Sequence, residues 1–233
     1  MSVRTSRSGK WGAPVNVGPP INSAADEGGA ALSSDGLTLF FNSNRTAGSG
    51  DHDIWLCRRV SPGAPWDEAV NLGPHVNSGL SDWAPTLSSD GLTLTFAVSP
   101  GKRDDEDLWT CVRPSWQEAW SPRVNLGTSV NSTSYDGGPA VSADSKLLLF
   151  HSNRPGGEGS YDLWMCSRSA RQMSWGTPVN LGPSVNSPFK EHLPIFSPDA
   201  QSMLFGSDRP GGYGNFDLYH VPIRLHSAQE ALR

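Results

Sequence analysis

The chain is poor in charge, in cysteine and in uninterrupted apolar sequence. Only 18% of its 233 residues are charged, and the net charge of −5 comes with no basic stripe, which argues against a general nucleic-acid binder. No run approaches the ~18 apolar residues of a membrane span. The first ten residues carry Arg4, Arg7 and Lys10, but no apolar stretch follows, so they do not read as a signal peptide. The chain is then cytoplasmic, unless an export signal has been removed, in which case a periplasmic or envelope location applies. Helical periodicity is missing from the body of the chain. So are a His-x-x-x-His pair and a nucleophile set beside a base. The Pro-Gly-Gly loops at 155–157 and 210–212 lack the Gly-Lys-Ser/Thr that a phosphate cradle requires.

Glycine (25) and proline (19) are abundant, as suits short strands joined by tight turns. Four segments are copies of one another, opening on Trp11, Trp66, Trp120 and Trp175, at steps of 55, 54 and 55 residues. A period of this size marks a propeller, solenoid or array. In the second copy Ala84–Ser88 is a short apolar run, Ser89-Asp90-Gly91 a hairpin turn and Leu92–Val98 an alternating strand. Asp107–Val112 gives a third strand, and Trp120–Leu126 of the next copy a fourth. The turn recurs as Ser34-Asp35-Gly36, Ala143-Asp144-Ser145 and Pro198-Asp199-Ala200.

Four antiparallel strands per unit predict an all-β, four-bladed β-propeller forming a single domain over 1–233. Its repeats run about 11–65, 66–119, 120–174 and 175–223, with a tail at 224–233 of weak helical spacing. The chain begins with a fourth-strand segment, Trp11–Val17, and its last copy has no fourth strand. Pairing of the two would close the ring and remove exposed strand edges. That predicts a monomer; two open chains joined in an eight-bladed ring are the alternative.

The strings LSSDGLTLFFNSNR…DIW, FSPDAQSMLFGSDRPGGYGNFDLY and VNLGPSVNS resemble the TolB-type propeller repeat, a relative of the Trp-Asp repeat. They are most similar to the variant of bacterial envelope proteins, where propellers often accompany OmpA-like domains. The resemblance covers about residues 11–223. It implies a β-propeller that binds proteins or ligands, usually without catalysis. TolB proteins have six blades and a further domain; this chain has four copies.

Cys57, Cys111 and Cys166 fall at one position of three successive copies, where the fourth has Val221. A site that accepts Cys or Val is small, apolar and buried, so free thiols are expected. An acid stands 16 positions after each tryptophan: Glu27, Asp82, Asp136 and Glu191. Gathered at the channel mouth, four carboxylates would raise one another's pKa and suit Ca²⁺ or Mg²⁺, although no cofactor is required. Alternatively each acid accepts hydrogen bonds within its own blade or pairs with an arginine. The residues beside the acids differ among copies. Trp83, Tyr135, Lys190 and His192 would form an asymmetric mix suited to a sugar, peptide or protein ligand. Asn22, Asn77, Asn131 and Asn186, each followed by Ser, read as turn residues. Arg45, Arg154 and Arg209 are expected to pair with Asp53, Asp162 and Asp217 across a hairpin. The chain therefore reads as a non-catalytic ligand- or protein-binding propeller. The alternative is a glycoside or other hydrolase using channel-mouth carboxylates, for which near-fourfold repetition is a poor setting, because an acid and a base need different surroundings.

Overall fold

A computed structural model describes residues 12–100, 105–169, 174–197 and 199–223. Trp11, Pro198, most of the charged loop at 101–107 and the 224–233 tail lie outside the described residues. The first blade comprises β1 (Glu27–Leu32), β2 (Thr38–Ser43), β3 (Asp53–Arg58) and β4 (Val70–Asn71). The second comprises β5 (Ser81–Leu87), β6 (Thr93–Ser99), β7 (Asp107–Val112) and β8 (Val124–Asn125). The third comprises β9 (Asp136–Val141), β10 (Leu147–Ser152), β11 (Asp162–Ser167) and β12 (Val179–Asn180). The fourth has β13 (Glu191–Phe196), β14 (Ser202–Ser207) and β15 (Asp217–Pro222). Each sheet is an antiparallel meander in chain order, and together they form a four-bladed β-propeller. No helix of the described residues is long and apolar enough to cross a membrane.

Local chemistry explains the strands. Each inner hairpin turns on an Asp that accepts both a serine hydroxyl and a backbone N–H, as Asp35 does from Ser33 (2.6 Å) and Leu37 (2.9 Å). The next residue takes a left-handed φ: Gly36 at 72°, Gly91 at 73°, Ser145 at 58° and Ala200 at 52°. The outer strands are shorter than the sequence suggests, two residues each, although the residue after each tryptophan still donates its N–H to the end of the third strand. Trp66, Trp120 and Trp175 lie beneath Arg59, Arg113 and Arg168, with each guanidinium 4.2–4.4 Å from the ring centroid.

The apolar core is divided among the junctions. Phe40 and Ile54 of the first blade meet Leu94 and Phe96 of the second. Leu108 of the second meets Leu148 and Phe150 of the third. Leu149 and Leu163 of the third meet Met203 and Phe205 of the fourth. The three cysteines are free and buried, and burial pushes Cys57 up to about 11 and Cys111 and Cys166 up to about 12. They are inert apolar fillers.

The expected closure by the N-terminal strand is not found. Among the described residues the last blade has three strands, and residues 12–17 form no strand. Val17 packs instead with Ile21, Phe41, Trp55 and Cys57 on the first blade. Among the described residues no strand of the fourth blade comes into contact with a strand of the first.

The expected pairing of Arg45, Arg154 and Arg209 with Asp53, Asp162 and Asp217 is also corrected. Those aspartates accept loop N–H groups, as Asp53 does from Ser49 (2.6 Å) and Gly50 (3.0 Å). The arginines pair with Glu27, Asp136 and Glu191. In the third blade Arg154 Nη2 donates to the Asp136 carboxylate and to the Val130 carbonyl at 2.7 Å, and its Nε donates to Ser152 Oγ at 3.0 Å. Arg154→Ala strands a fully buried carboxylate, so a loss of about 3 kcal/mol is expected in urea unfolding. Lys146→Ala, which removes an exposed pair with Asp144, is expected to change stability by less than about 0.5 kcal/mol. Equal losses would refute this account of the arginine.

Candidate functional site

The inner strands β1, β5, β9 and β13 each carry a register shift two residues after the acid. The residue there is left-handed in every blade: Gly29 (φ 55°), Ala84 (46°), Gly138 (55°) and Leu193 (49°). Such bulges re-aim side chains and gather near functional sites. Here the bulge follows directly on Gly28, Trp83, Gly137 and His192, the variable positions next to the acids. Two bulges are fastened from the preceding blade. Asn42 Oδ1 accepts the Ala84 N–H at 3.3 Å, and His151 Nδ1 accepts the Leu193 N–H at 3.4 Å.

A second set of variable residues is brought in by backbone bonds across each junction. The carbonyls of His52, Glu106 and Tyr161, which immediately precede β3, β7 and β11, accept the N–H groups of Asp82 (2.7 Å), Asp136 (2.9 Å) and Glu191 (2.8 Å).

The two sets meet in a concavity of about 660 Å³. All four residues expected from the sequence to contact a ligand, Trp83, Tyr135, Lys190 and His192, line it. His52, Glu106, His151, Tyr161 and Phe216 join them, and the sequence reading missed these. One signal was available: His52, Glu106, Tyr161 and Phe216 each stand just before the third-strand aspartate, which is repeated while they differ.

The aromatic groups fall into two sets. His52 stacks on Trp83 with centroids 3.9 Å apart. Tyr135 lies 5.2 Å from Tyr161 and 5.3 Å from His151, and His192 lies 4.3 Å from Phe216. Burial, with His192 nearby, pushes His151 down to about 3, so its ring is neutral at physiological pH. Burial also lowers the pKa of His192. His52 Nδ1 and His192 Nε2 are buried without a hydrogen-bond partner among the described residues. The site thus offers neutral rings, a lysine and two acids, Asp51 and Glu106.

The four acids proposed for a channel cation are not gathered by the fold. Glu27 accepts from Ser23, Ser43 and Arg45, and Glu191 from Ser187, Ser207 and Arg209. Asp136 accepts from Ser132 and Arg154. Asp82 accepts from Ser78 and lies 3.7 Å from Arg123, which immediately precedes β8, the fourth strand of the same blade. Among the described residues no three His, Cys, Asp or Glu side chains are grouped to hold a metal ion.

No protein-family model matches the sequence, and no curated protein matches it either. Solved structures do match in fold. TolB from Acinetobacter baumannii superposes with a TM-score of 0.60 at 17% identity, covering 87% of this chain and 42% of that one. The putative TolB from Agrobacterium tumefaciens gives 0.54 at 16%, covering 86% and 59%. A thermostable family-43 glycoside hydrolase gives 0.56 at 13%, covering 84% and 70%. The chain therefore has a TolB-like propeller fold and spans about two-fifths and three-fifths of the two TolB chains. That fold is shared with glycoside hydrolases.

Asp82 gives a pH prediction. Burial, only partly offset by Ser78 and Arg123, raises its carboxyl to about 6. Between pH ~4 and ~6 the folded chain then holds a proton that the unfolded chain has released, so stability falls as pH rises through that window. Asp82→Asn removes this slope. The unfolding free energy of the variant relative to wild type should rise by about 3 kcal/mol from pH 4 to pH 7. Parallel pH profiles would contradict the assignment.

Proposed function

We propose that the chain is a non-catalytic binding propeller that takes a small ligand with an apolar face and polar edges, such as a saccharide unit or a short peptide, into the 660 Å³ concavity. One observation carries the reading: the positions at which the four copies diverge converge on a single pocket, while the repeated positions are occupied in holding blades together. Trp83, Tyr135, Tyr161 and Phe216 offer ring faces to C–H surfaces, and Glu106 and Lys190 offer opposite charges for orientation. The unpartnered ring nitrogens of His52 and His192 add sites for polar edges.

A hydrolytic reading asks for two carboxylates poised differently over a scissile bond. The acids that the sequence offered for it are held by serine and arginine donors within the scaffold, which favours binding over turnover.

The test is a thermal-shift screen of glycans and short peptides, followed by calorimetry on Trp83→Ala and His192→Ala. Loss of a ring worth about 1.4 kcal/mol weakens binding roughly tenfold. Both variants should bind at least that much more weakly while staying folded by circular dichroism at the temperature of the titration. Unchanged affinity in both would refute the site, and turnover of a hit would replace the binding reading with the hydrolytic one.

A further inference from the structure

The inner hairpins repeat in pairs rather than singly. Next to each acid, the inner strand faces the second strand of its own blade with one large and one small residue. Gly28 stands against Asn42, Trp83 against Ala97, Gly137 against His151 and His192 against Gly206. The large member is on the second strand in the first and third blades and on the inner strand in the second and fourth. All four large members, Asn42, Trp83, His151 and His192, line the concavity.

The bulges alternate in the same way. The left-handed residue is glycine in the first and third blades, at Gly29 and Gly138, and carries a side chain in the second and fourth, at Ala84 and Leu193. A Cβ on Gly29 would run into Asn42 Oδ1 and stand 2.8 Å from Ala84 Cα. One on Gly138 would stand 2.6 Å from His151 Nδ1 and 3.0 Å from Leu193 Cδ2. Asn42 takes the Ala84 N–H and His151 takes the Leu193 N–H, so one device fits the first blade to the second and the third to the fourth. At the junction between the second and third blades, Ala97 stands in the place of that acceptor. The rings divide along the same line. His52 and Trp83 stack on the first pair of blades, and Tyr135, His151, Tyr161, His192 and Phe216 make up the other set on the second pair. Tyr135 and Glu106 close over Gly137 at the boundary, where a Cβ would lie 2.6 Å from Tyr135 Cε1 and 2.8 Å from Glu106 Oε2.

We infer that the concavity is two adjoining subsites and that its ligand is an uncharged saccharide of at least two linked rings. One ring is seated by Trp83 and His52 and the next among Tyr161, His192 and Phe216, with the linkage passing Tyr135 and Glu106. This rests on the binding reading above and names its ligand. The walls favour a saccharide over a peptide. Aromatic faces suit C–H surfaces, and Asn42, Ser81, His151 and His192 set polar groups beside them. Burial lowers the pKa of both those histidines, which keeps their rings uncharged. The volume of about 660 Å³ lies mid-range for pockets that enclose a drug-sized ligand, which suits more than a single ring.

The experiment is protein-observed NMR on the full chain, reading the Trp83 indole and His192 imidazole signals. The probes are the methyl glycosides of glucose, galactose and N-acetylglucosamine and the β-1,4-linked dimer of each. For one of these sugars the monomer should shift both signals, and the dimer should bind roughly tenfold or more tightly, because the second unit then binds intramolecularly. Trp83→Leu keeps apolar bulk against the Leu108 and Phe150 cluster. It should bring the dimer's affinity down to the monomer's while the monomer still shifts His192. His192→Ala should do the same with the Trp83 shift retained. The effect of chain length is read on the wild-type protein and so survives a variant that fails to fold. A dimer that binds no more tightly than its monomer would overturn the inference and leave a pocket with one subsite. So would a single substitution that removes every response to the monomer. Silence of both signals towards all the sugars would overturn the saccharide assignment. The binding reading would then stand or fall by the response of the same signals to a short peptide such as trialanine.

Discussion

Each blade has a carboxylate at the head of its inner strand, and in three of the four it is buried. Asp82, Asp136 and Glu191 have fully buried side chains, and a charge in that setting is tolerable only when paired and hydrogen-bonded. The serine four residues earlier supplies a backbone N–H and a hydroxyl, which fixes the incoming loop. The arginine 18 residues later ends the second strand, so the same charge ties β9 to β10 and β13 to β14. Its guanidinium also lies over the blade's own aromatic pair: Arg154 over Phe150 and Trp164, Arg209 over Phe205 and Tyr219. Loop, strands and apolar core therefore share one electrostatic anchor. The second blade has Val98-Ser99-Pro100 in place of the arginine, and the longer reach of Arg123 compensates in part. The raised pKa of Asp82 is the consequence.

The blades were legible because a repeat states each local rule four times. The Ser-x-Asp turn, the alternating second strand and the Asp that opens the third strand each emerged from comparing copies, and the structure has them where the comparison put them. Hydrogen-bond partners were harder to read. Arg45 precedes Asp53 by eight residues and follows Glu27 by 18, so sequence distance favoured the wrong acid. Register corrects this: Ser43 pairs with Glu27 across the inner hairpin, which brings Arg45 to the glutamate. Ring closure was misread for a related reason. The N-terminal segment was expected to form a fourth strand, but residues 12–17 form none among the described residues, because a repeat pattern does not express which blade a segment packs against.

The site shows how a repeated scaffold makes an asymmetric surface. Residues in the clasp are fixed by their partners, whereas those on either side of it are free to differ. Trp83, Tyr135 and His192 flank clasp acids and were visible for that reason. His52, Glu106 and Tyr161 reach the same pocket from a distant part of each copy, and only the carbonyl-to-acid bond across the junction explains why they arrive there. Divergent residues from separate parts of each copy are thus set side by side by the backbone bonds. Leu193 and Ala84 carry the cost, since left-handed backbone at residues other than glycine runs to about 1 kcal/mol each.

An array of like units is stable roughly as the sum of its units and the contacts between neighbours. Four blades in an open row have three such contacts, so the first and last blades each have one face short of a neighbour. The outer strands add little support, because β4, β8 and β12 pair over only two residues. Burial at the junctions must therefore dominate, as the placement of Phe40, Phe96, Phe150 and Phe205 there indicates. The first blade partly meets its deficit by laying Val17 and Ile21 against Phe41 and Trp55. The fourth blade has nothing equivalent over Leu218 among the described residues, so its third strand combines an open edge with an exposed apolar row, the pairing that most favours strand addition.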